Sequence, residues 1–400
     1  MDPLVILTQI TILLILGIIF SLISNKLKIP NILFLILIGF ALANINYNGD
    51  SLVNFPPIFI TSIGILALVM IVFDSCNKFK WKEFDSLTLS AVKLAFATFM
   101  INLLVLGIIT YYLFDLDSIF YGFILAVIVS ATSPDIVLTL YKKTKTKAVD
   151  LLKFESIVNT PITVVFPFLF IDLMKTFGEG VGIDSIHLIN FMQQIITGVG
   201  AGVVIGIIVF KFMRKYYSQK LSPLILITAC LLTYILAENL SGSGILAVTV
   251  LGIFFGNLHI KQKSSLIEFS GMFSSALLIL VFILLGLMIK IPFTLNFFII
   301  SLLLYFISIL LRIIAVYLSF PGNKLLNHKE KLFMSLNTPK GIAAAVVTFS
   351  LIGFSAFNLI PSNAQIVLNY MFIFIVYSII VSSIVTHFSK YFIKVEVSEQ

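Results

Sequence analysis

Charged residues are scarce in this chain, and their scarcity excludes an ordinary soluble fold. Of 400 residues, 11% are Asp, Glu, Lys or Arg and 60% are hydrophobic, whereas a soluble domain carries about 25% charged residues. A water-soluble chain of this composition would expose large apolar patches, so a lipid bilayer is the expected solvent. The composition therefore predicts an all-α membrane protein that forms a single integral membrane domain over residues 1–400.

Cysteines, nucleotide-binding motifs and hydrolase motifs are also few or missing. The two cysteines, Cys76 and Cys230, lie in or beside apolar segments without metal-ligand spacing, and we interpret both as small buried residues. The sequence contains no GxxxxGKS or GxxxxGKT loop for ATP hydrolysis, no HExxH motif and no paired Gly-Asp motif. Neither an enzyme nor a resident cofactor is expected, so uphill transport would need another ion gradient.

Long apolar segments recur along the whole chain and predict about thirteen membrane-spanning helices. Most are long enough to cross a hydrocarbon core of ~30 Å at 1.5 Å per residue. The first is interpreted as a retained helix because no cleavage site follows it. The segments cover residues 4–24, 28–45, 57–75, 87–114, 118–141, 153–175, 188–212, 221–239, 243–258, 267–289, 294–319, 331–353 and 365–392.

Basic residues alternate with these segments and predict an orientation. Loops after odd-numbered predicted helices contain 21 of the 26 Lys and Arg residues, whereas loops after even-numbered ones contain only Lys175 and Lys290. The positive-inside rule then places the N-terminus outside and the C-terminus in the cytoplasm of a multi-pass cell-membrane protein. The net charge of +8 follows from these loops, so no nucleic acid partner is expected.

Two predicted helices are interrupted by a proline next to a charged residue. Helix 5 contains Ala131-Thr132-Ser133-Pro134-Asp135, and helix 12 contains Asn337-Thr338-Pro339-Lys340-Gly341. Proline removes a backbone donor, and unwound backbone at membrane depth is tolerated where it lines a cavity or is buried in protein. The two prolines are 205 residues apart (339 minus 134). This spacing predicts two inverted six-helix repeats whose broken helices 5 and 12 cross near the midplane, as in many transporters.

Six ionisable residues fall inside predicted helices. Because a charge at the bilayer centre costs at least ~2.5–3.5 kcal/mol, each of them needs a partner or a water-filled cavity. Two interpretations stay open at this point: ion pairs that only hold helices together, or groups that face a transport pathway. The six residues are Asp74, Lys93, Asp135, Glu155, Arg312 and Lys340.

At these positions the sequence resembles the monovalent cation:proton antiporters, in the NhaP/NHE-like branch of the sodium/hydrogen exchangers. Four stretches carry the resemblance. They are similar to the family's opening before helix 2, its ESxxND segment, its late arginine and its PRG-like segment, and they are Leu27–Pro30, Phe154–Asn159, Arg312 and Pro339–Gly341.

The resemblance implies an assembly and a division of the helices. It implies a homodimer with moving core helices within 87–175 and 294–392, and dimer or scaffold helices within 4–75 and 188–289. It also implies that Glu155 is a structural acid that pairs with Arg312 and Lys340.

The predicted cation site combines this resemblance with oxygen chemistry. Hydroxyl, amide and carboxylate oxygens suit a hard monovalent cation, and the polar residues of helix 6 are spaced to lie on one helical face. The residues assigned to the site are Asp74, Thr132, Ser133, Asp135, Ser156, Asn159 and Thr160.

Three positions depart from the family's pattern. Thr160 replaces the ion-binding aspartate of helix 6, Ser133 replaces the aspartate of a TDP motif, and Lys340 replaces the arginine of PRG. An exchanger needs a carboxylate that trades a proton for the cation, so Asp135 is the predicted replacement and Asp74 the second choice. The predicted function is exchange of a monovalent cation for H⁺. Na⁺ is the first candidate, with Li⁺ and K⁺ as the alternatives.

The same departures keep a second function open. An antiporter-like scaffold could also form a transporter or channel for another solute that has lost strict proton coupling. The extra basic residue Lys340 and the missing aspartate favour this alternative.

Overall fold

Backbone hydrogen bonding determines the architecture, because every N–H and C=O inside a bilayer needs a partner within the protein. The computed structural model satisfies this requirement with helices almost throughout. The only strands in the part of the chain that the structure describes are β1 (Asn46–Tyr47) and β2 (Asp50–Ser51), which pair antiparallel. The described residues are 3–27, 31–47, 50–51, 53, 55–80, 86–133, 136–137, 146–177, 185–216, 218, 221–258, 262–289, 291–322, 325–355 and 362–393.

The helices follow the predicted apolar segments in order. In these ranges they are α1 (Pro3–Leu27), α2 (Asn31–Ala43), α3 (Pro57–Cys76), α4 (Ser86–Ile101), a π-helical stretch (Asn102–Gly107), α5 (Ile108–Leu113), α6 (Ile119–Ser130), α7 (Lys147–Phe177), α8 (Ser185–Lys215), α9 (Ser222–Asn239), α10 (Gly244–Asn257), α11 (Lys263–Met288), α12 (Leu295–Ser319), α13 (His328–Leu336), α14 (Ile342–Ser355), α15 (Ser362–His387) and α16 (Ser389–Phe392).

The distribution of side chains is that of a membrane protein. Nine helical segments among the described residues are long and apolar enough to cross a membrane, and α2, α6, α10 and α14 are shorter apolar helices. Large apolar side chains such as Leu7, Ile196 and Phe306 are exposed, whereas many Ser, Thr and Asn side chains are buried. The predicted multi-pass helical fold is thus confirmed, and the number of thirteen crossings stays a prediction.

The two predicted helix breaks meet each other in the structure. Helix α6 ends at Ser130 and the chain continues without helix through Ala131–Ser133, while Asn337–Gly341 separates α13 from α14. The backbone N–H of Ser133 donates to the carbonyl oxygen of Pro339 at 2.8 Å. A Cβ atom built on Gly341 would lie 2.1 Å from Ser133 Oγ, so only glycine permits this approach.

Glycine also sets the distance between α2 and α11. A Cβ atom on Gly39 would lie 2.0 Å from the carbonyl oxygen of Ile283, and one on Gly286 would lie 2.3 Å from that of Ile36. These contacts are with backbone, which cannot move aside as a flexible side chain can. Small residues let membrane helices approach closely, and here they bring the backbones of α2 and α11 into direct contact.

We predict that Gly286→Val destabilises the protein, because the new side chain would force α2 and α11 apart. Overpacking a close contact costs about 1–3 kcal/mol. The thermal unfolding midpoint of the detergent-solubilised protein should fall. Gly200→Val is the matched control, because a Cβ atom at Gly200 meets nothing within 4 Å on another helix. Equal midpoints for the two variants would contradict the prediction.

Candidate cation site

A buried ion pair joins α7 to α12. The guanidinium of Arg312 donates to both carboxylate oxygens of Glu155, with Nη1–Oε1 at 2.6 Å and Nη2–Oε2 at 2.5 Å. Arg312 Nη1 also lies 2.6 Å from the hydroxyl oxygen of Thr98 on α4. Glu155 is fully buried and Arg312 is 3% exposed. One guanidinium therefore links three helices through a bidentate contact that a planar fork suits well.

Lys340 is a second buried cation, and its ammonium does not join this pair. Both oxygens of Glu155 are already occupied by Arg312, and the ammonium of Lys340 donates to the carbonyl oxygen of Ala131 at 2.7 Å. Its backbone N–H donates to Ser378 Oγ at 2.8 Å. Within the described residues no carboxylate lies at salt-bridge distance from the ammonium.

The C-terminal end of α6 is where these contacts converge. The last carbonyls of a helix lack intrahelical donors and carry the negative end of its dipole. Lys340 satisfies the carbonyl of Ala131, and the side-chain amide of Asn159 donates to the carbonyl of Ser130 at 2.5 Å. A cation and an amide thus stabilise a helix end that lies inside the protein.

Two predicted ligands have buried oxygen atoms that remain available. Asn159 uses its nitrogen on Ser130, while its Oδ1 has no hydrogen-bond partner among the described residues. The hydroxyl oxygen of Thr132 is in the same situation. Buried polar atoms are normally satisfied, so such atoms point to a ligand that supplies the missing contact. Neutral oxygens of this kind fit a monovalent cation.

Three further hydroxyls are oriented by the backbone. Ser156 Oγ donates to the carbonyl of Lys153, and Thr160 Oγ1 donates to the carbonyl of Ser156, each at 2.7 Å. Ser133 Oγ accepts a long hydrogen bond of 3.5 Å from the N–H of Ile136. A hydroxyl that donates its proton to a carbonyl keeps lone pairs for another contact. Ser133, Ser156 and Thr160 are all buried.

The predicted acids are placed differently from these neutral ligands. Asp135 lies outside the described residues. Asp74 lies in the last turn of α3, where its Oδ2 is 3.4 Å from the ammonium of Lys78 and its side chain is 17% exposed. Lys93 is exposed on α4 and takes no part in the buried cluster. Glu155 is the only fully buried acid in the part of the chain that is described.

Comparison with known proteins identifies the family. The model of the sodium/hydrogen exchanger transmembrane family matches residues 10–389. The chain belongs to the sodium/hydrogen exchanger family. The exchanger is 27% identical over 357 residues to Na(+)/H(+) antiporter 1 of Methanocaldococcus jannaschii, covering 84% of this chain and 80% of that protein.

Other relatives of the exchanger carry different names. Na(+)/H(+) antiporter NhaH of Halobacillus dabanensis is 27% identical over 373 residues, covering 86% of this chain and 88% of that protein. K(+)/H(+) antiporter NhaP of Alkalimonas amylolytica is 27% identical over 283 residues, covering 70% of this chain but 48% of that protein.

The solved structure of the sodium proton antiporter of M. jannaschii at pH 8 superposes with a TM-score of 0.79 at 24% identity, covering both chains completely. This likeness confirms the fold.

Several contacts of the exchanger's site were not predicted from sequence. Thr98 on the guanidinium, Ser378 under the Lys340 backbone and the carbonyl of Ser130 all belong to segments that look merely apolar. The one available signal is a polar residue inside an apolar helix, and Thr98 shows it on α4. Asn102, one turn later at the start of the π-helical stretch, shows it as well.

We predict that Glu155→Gln lowers the stability of the exchanger, because it leaves the Arg312 guanidinium buried without its counter-charge. Breaking a buried pair costs about 3–5 kcal/mol, whereas replacing both partners is much milder. The double variant Glu155→Gln/Arg312→Met should therefore melt above the single variant in a thermal unfolding assay. A single variant that melts with wild type would contradict a structural role for the pair.

Proposed function

We propose that this chain exchanges a monovalent cation for protons across the membrane by alternating access. Two buried oxygens without a hydrogen-bond partner among the described residues carry the proposal. They are Asn159 Oδ1 and Thr132 Oγ1, and they lie where the two helix breaks meet. Membership of the sodium/hydrogen exchanger family supports it. A cation that leaves water needs replacement oxygens, and a break between helices supplies them without exposing backbone to lipid.

The proposed coupling is competition for one negative charge. The neutral oxygens of Thr132, Ser133, Ser156, Asn159 and Thr160 would contribute coordination but cannot exchange protons near neutral pH. A carboxylate can, and we propose Asp135, which follows Ser133 by two residues, with Asp74 as the second choice. Cation and proton would then exclude each other at the same group.

Glu155 does not suit that role. Its two oxygens are held by Arg312, so protonating it would remove the negative charge that strengthens both hydrogen bonds and leave a buried guanidinium uncompensated. We propose that Glu155 and Arg312 instead hold α7 and α12 together while the site changes its access.

Na⁺ is the proposed cation, with K⁺ and Li⁺ as alternatives. The relatives from M. jannaschii and H. dabanensis are named Na(+)/H(+) antiporters, and the one from A. amylolytica is named a K(+)/H(+) antiporter. No resident cofactor is proposed, since both ions are cargo.

We propose a homodimer in the cell membrane, with the N-terminus outside and the C-terminus in the cytoplasm. Helices within 87–175 and 294–392 would form the moving core, and those within 4–75 and 188–289 the scaffold. The three residues that meet through Arg312 (Thr98, Glu155 and Arg312 itself) all lie in the proposed core, which supports this division.

The proposed exchange is tested with purified protein in liposomes that contain a pH-sensitive dye. A pulse of NaCl outside acid-loaded vesicles should raise the internal pH, because each Na⁺ that enters drives protons out. KCl and LiCl pulses measure the preference. Uptake of radiolabelled cation without a pH change would favour the uncoupled transporter or channel instead.

We predict that Asp135→Asn abolishes the dye response while the protein still folds, because the amide cannot release a proton. The matched control is Asp150→Asn, since the Asp150 side chain is 43% exposed and pairs with Lys153 at 3.5 Å on the surface of α7. The control should respond like wild type. Full exchange by Asp135→Asn would move the proton acceptor elsewhere, and Asp74→Asn would be examined next.

A further inference from the structure

A small polar cavity lies beside the crossing, and none of the predicted cation ligands lines it. It is bounded by α4, the end of α6, α12 and the second break, and it has room for about one water-sized particle, about 10 Å³. Its lining is mostly polar and includes Asn102, Tyr305, Ser308, Arg312 and Lys340. The predicted cation ligands therefore lie outside the cavity lining, whereas Arg312, Lys340 and Ser130, which hold the candidate site together, belong to it.

Two buried polar atoms of the lining residues have no hydrogen-bond partner among the described residues. One is the acceptor Oδ1 of Asn102, a residue that is 2% exposed. The other is the donor Nε–H of Arg312, whose two terminal nitrogens are already engaged by Glu155 and Thr98. Among the residues that line the cavity, these two are therefore the fully buried atoms left without a partner, one an acceptor and the other a donor.

These two atoms select the chemistry of the ligand. A cation would satisfy Asn102 Oδ1 but would lie against the positive charges of Arg312 and Lys340, with which it would repel at close range. An anion would satisfy Arg312 Nε–H but would face the oxygen of Asn102. A water molecule accepts from the one and donates to the other, and its size matches the volume.

The backbone that continues from α4 is irregular where it presents Asn102. The α-helix changes to a π-helix at Asn102 and returns to an α-helix at Ile108. Each π turn holds one extra residue, and such bulges occur often at functional sites. The bulge ends at Gly107, where a Cβ atom on Gly122 of α6 would lie 2.2 Å from the Gly107 carbonyl oxygen. The irregular turn is therefore locked against α6.

We propose that the cavity binds one water molecule that bridges Asn102 Oδ1 and Arg312 Nε, and that Asn102 is thereby a positioning residue of the exchanger. Through Arg312 it fixes Glu155, and Glu155 fixes the turn of α7 that carries Ser156 and Asn159. The water itself is independent of the proposed function, whereas the effect on cation affinity rests on the cation binding that the proposed function includes.

The water is tested by a cryo-EM structure of the full chain in lipid nanodiscs, at a resolution that shows other buried waters. The expected result is a peak within hydrogen-bond distance of both Asn102 Oδ1 and Arg312 Nε. Absence of a peak there, or density that contacts only one of the two atoms, overturns the proposal. This result does not depend on whether the chain transports protons.

The positioning role is tested by Asn102→Leu, which removes the acceptor and fills the cavity. Na⁺ affinity is measured from the rise of the unfolding midpoint with NaCl concentration, so no transport is needed. Loss of a supporting partner typically weakens ion binding about 10-fold, and that is the expected change. Asn102→Ser, which keeps an acceptor and leaves room for water, should bind Na⁺ close to wild type.

Asn369→Leu is the matched control, because Asn369 Oδ1 is also without a partner among the described residues but lies on α15 outside the cavity lining. It should keep the Na⁺ affinity of wild type. Equal affinities for Asn102→Leu and wild type overturn the positioning role, as does an equal loss in Asn369→Leu or Asn102→Ser. If wild type binds Na⁺ but moves no protons, the proposed exchange fails while the test of Asn102 stands.

Discussion

The contact between Arg312 and Glu155 is the constraint on which the buried part of this protein depends. Two opposite charges removed from water must lie in good geometry, or the desolvation penalty exceeds their attraction. Here the geometry is bidentate and the pair is closed to solvent, so α7 and α12 are held in one register. Thr98 extends the same constraint to α4. The helices around the candidate site are thereby fixed relative to one another.

The end of α6 adds a second constraint of the same kind. A helix that stops inside the protein leaves carbonyl oxygens with negative partial charge in a place of low dielectric. Lys340 donates a hydrogen bond to the carbonyl of Ala131, and Asn159 donates one to that of Ser130. A buried ammonium and a buried amide thus both donate to carbonyl oxygens at one helix end. The available oxygens of Asn159 and Thr132 belong to this same environment.

The sequence predicted the apolar helices, which recur along the chain, and the two places where a helix is interrupted. Apolar segments predicted the helices, because a helix satisfies its own backbone hydrogen bonds inside a bilayer. The prolines at 134 and 339 predicted the two interruptions. Such local patterns do not predict which distant segments touch. Thr98 and Arg312 are 214 residues apart, and nothing local to either predicts that they touch. Lys93 lies within an apolar helix yet is exposed, and its position in the sequence alone did not distinguish it from the buried charges.

The hydrogen bond from Ser133 to Pro339 has a mechanical consequence. It is a main-chain bond between two interrupted segments that are far apart in sequence, and side-chain rotation cannot release it. Sliding one segment past the other would strand a buried donor and a buried acceptor together. The glycine at 341 leaves room for this approach, because a Cβ atom there would lie 2.1 Å from Ser133 Oγ. A displacement that keeps this hydrogen bond must therefore carry both interrupted segments together.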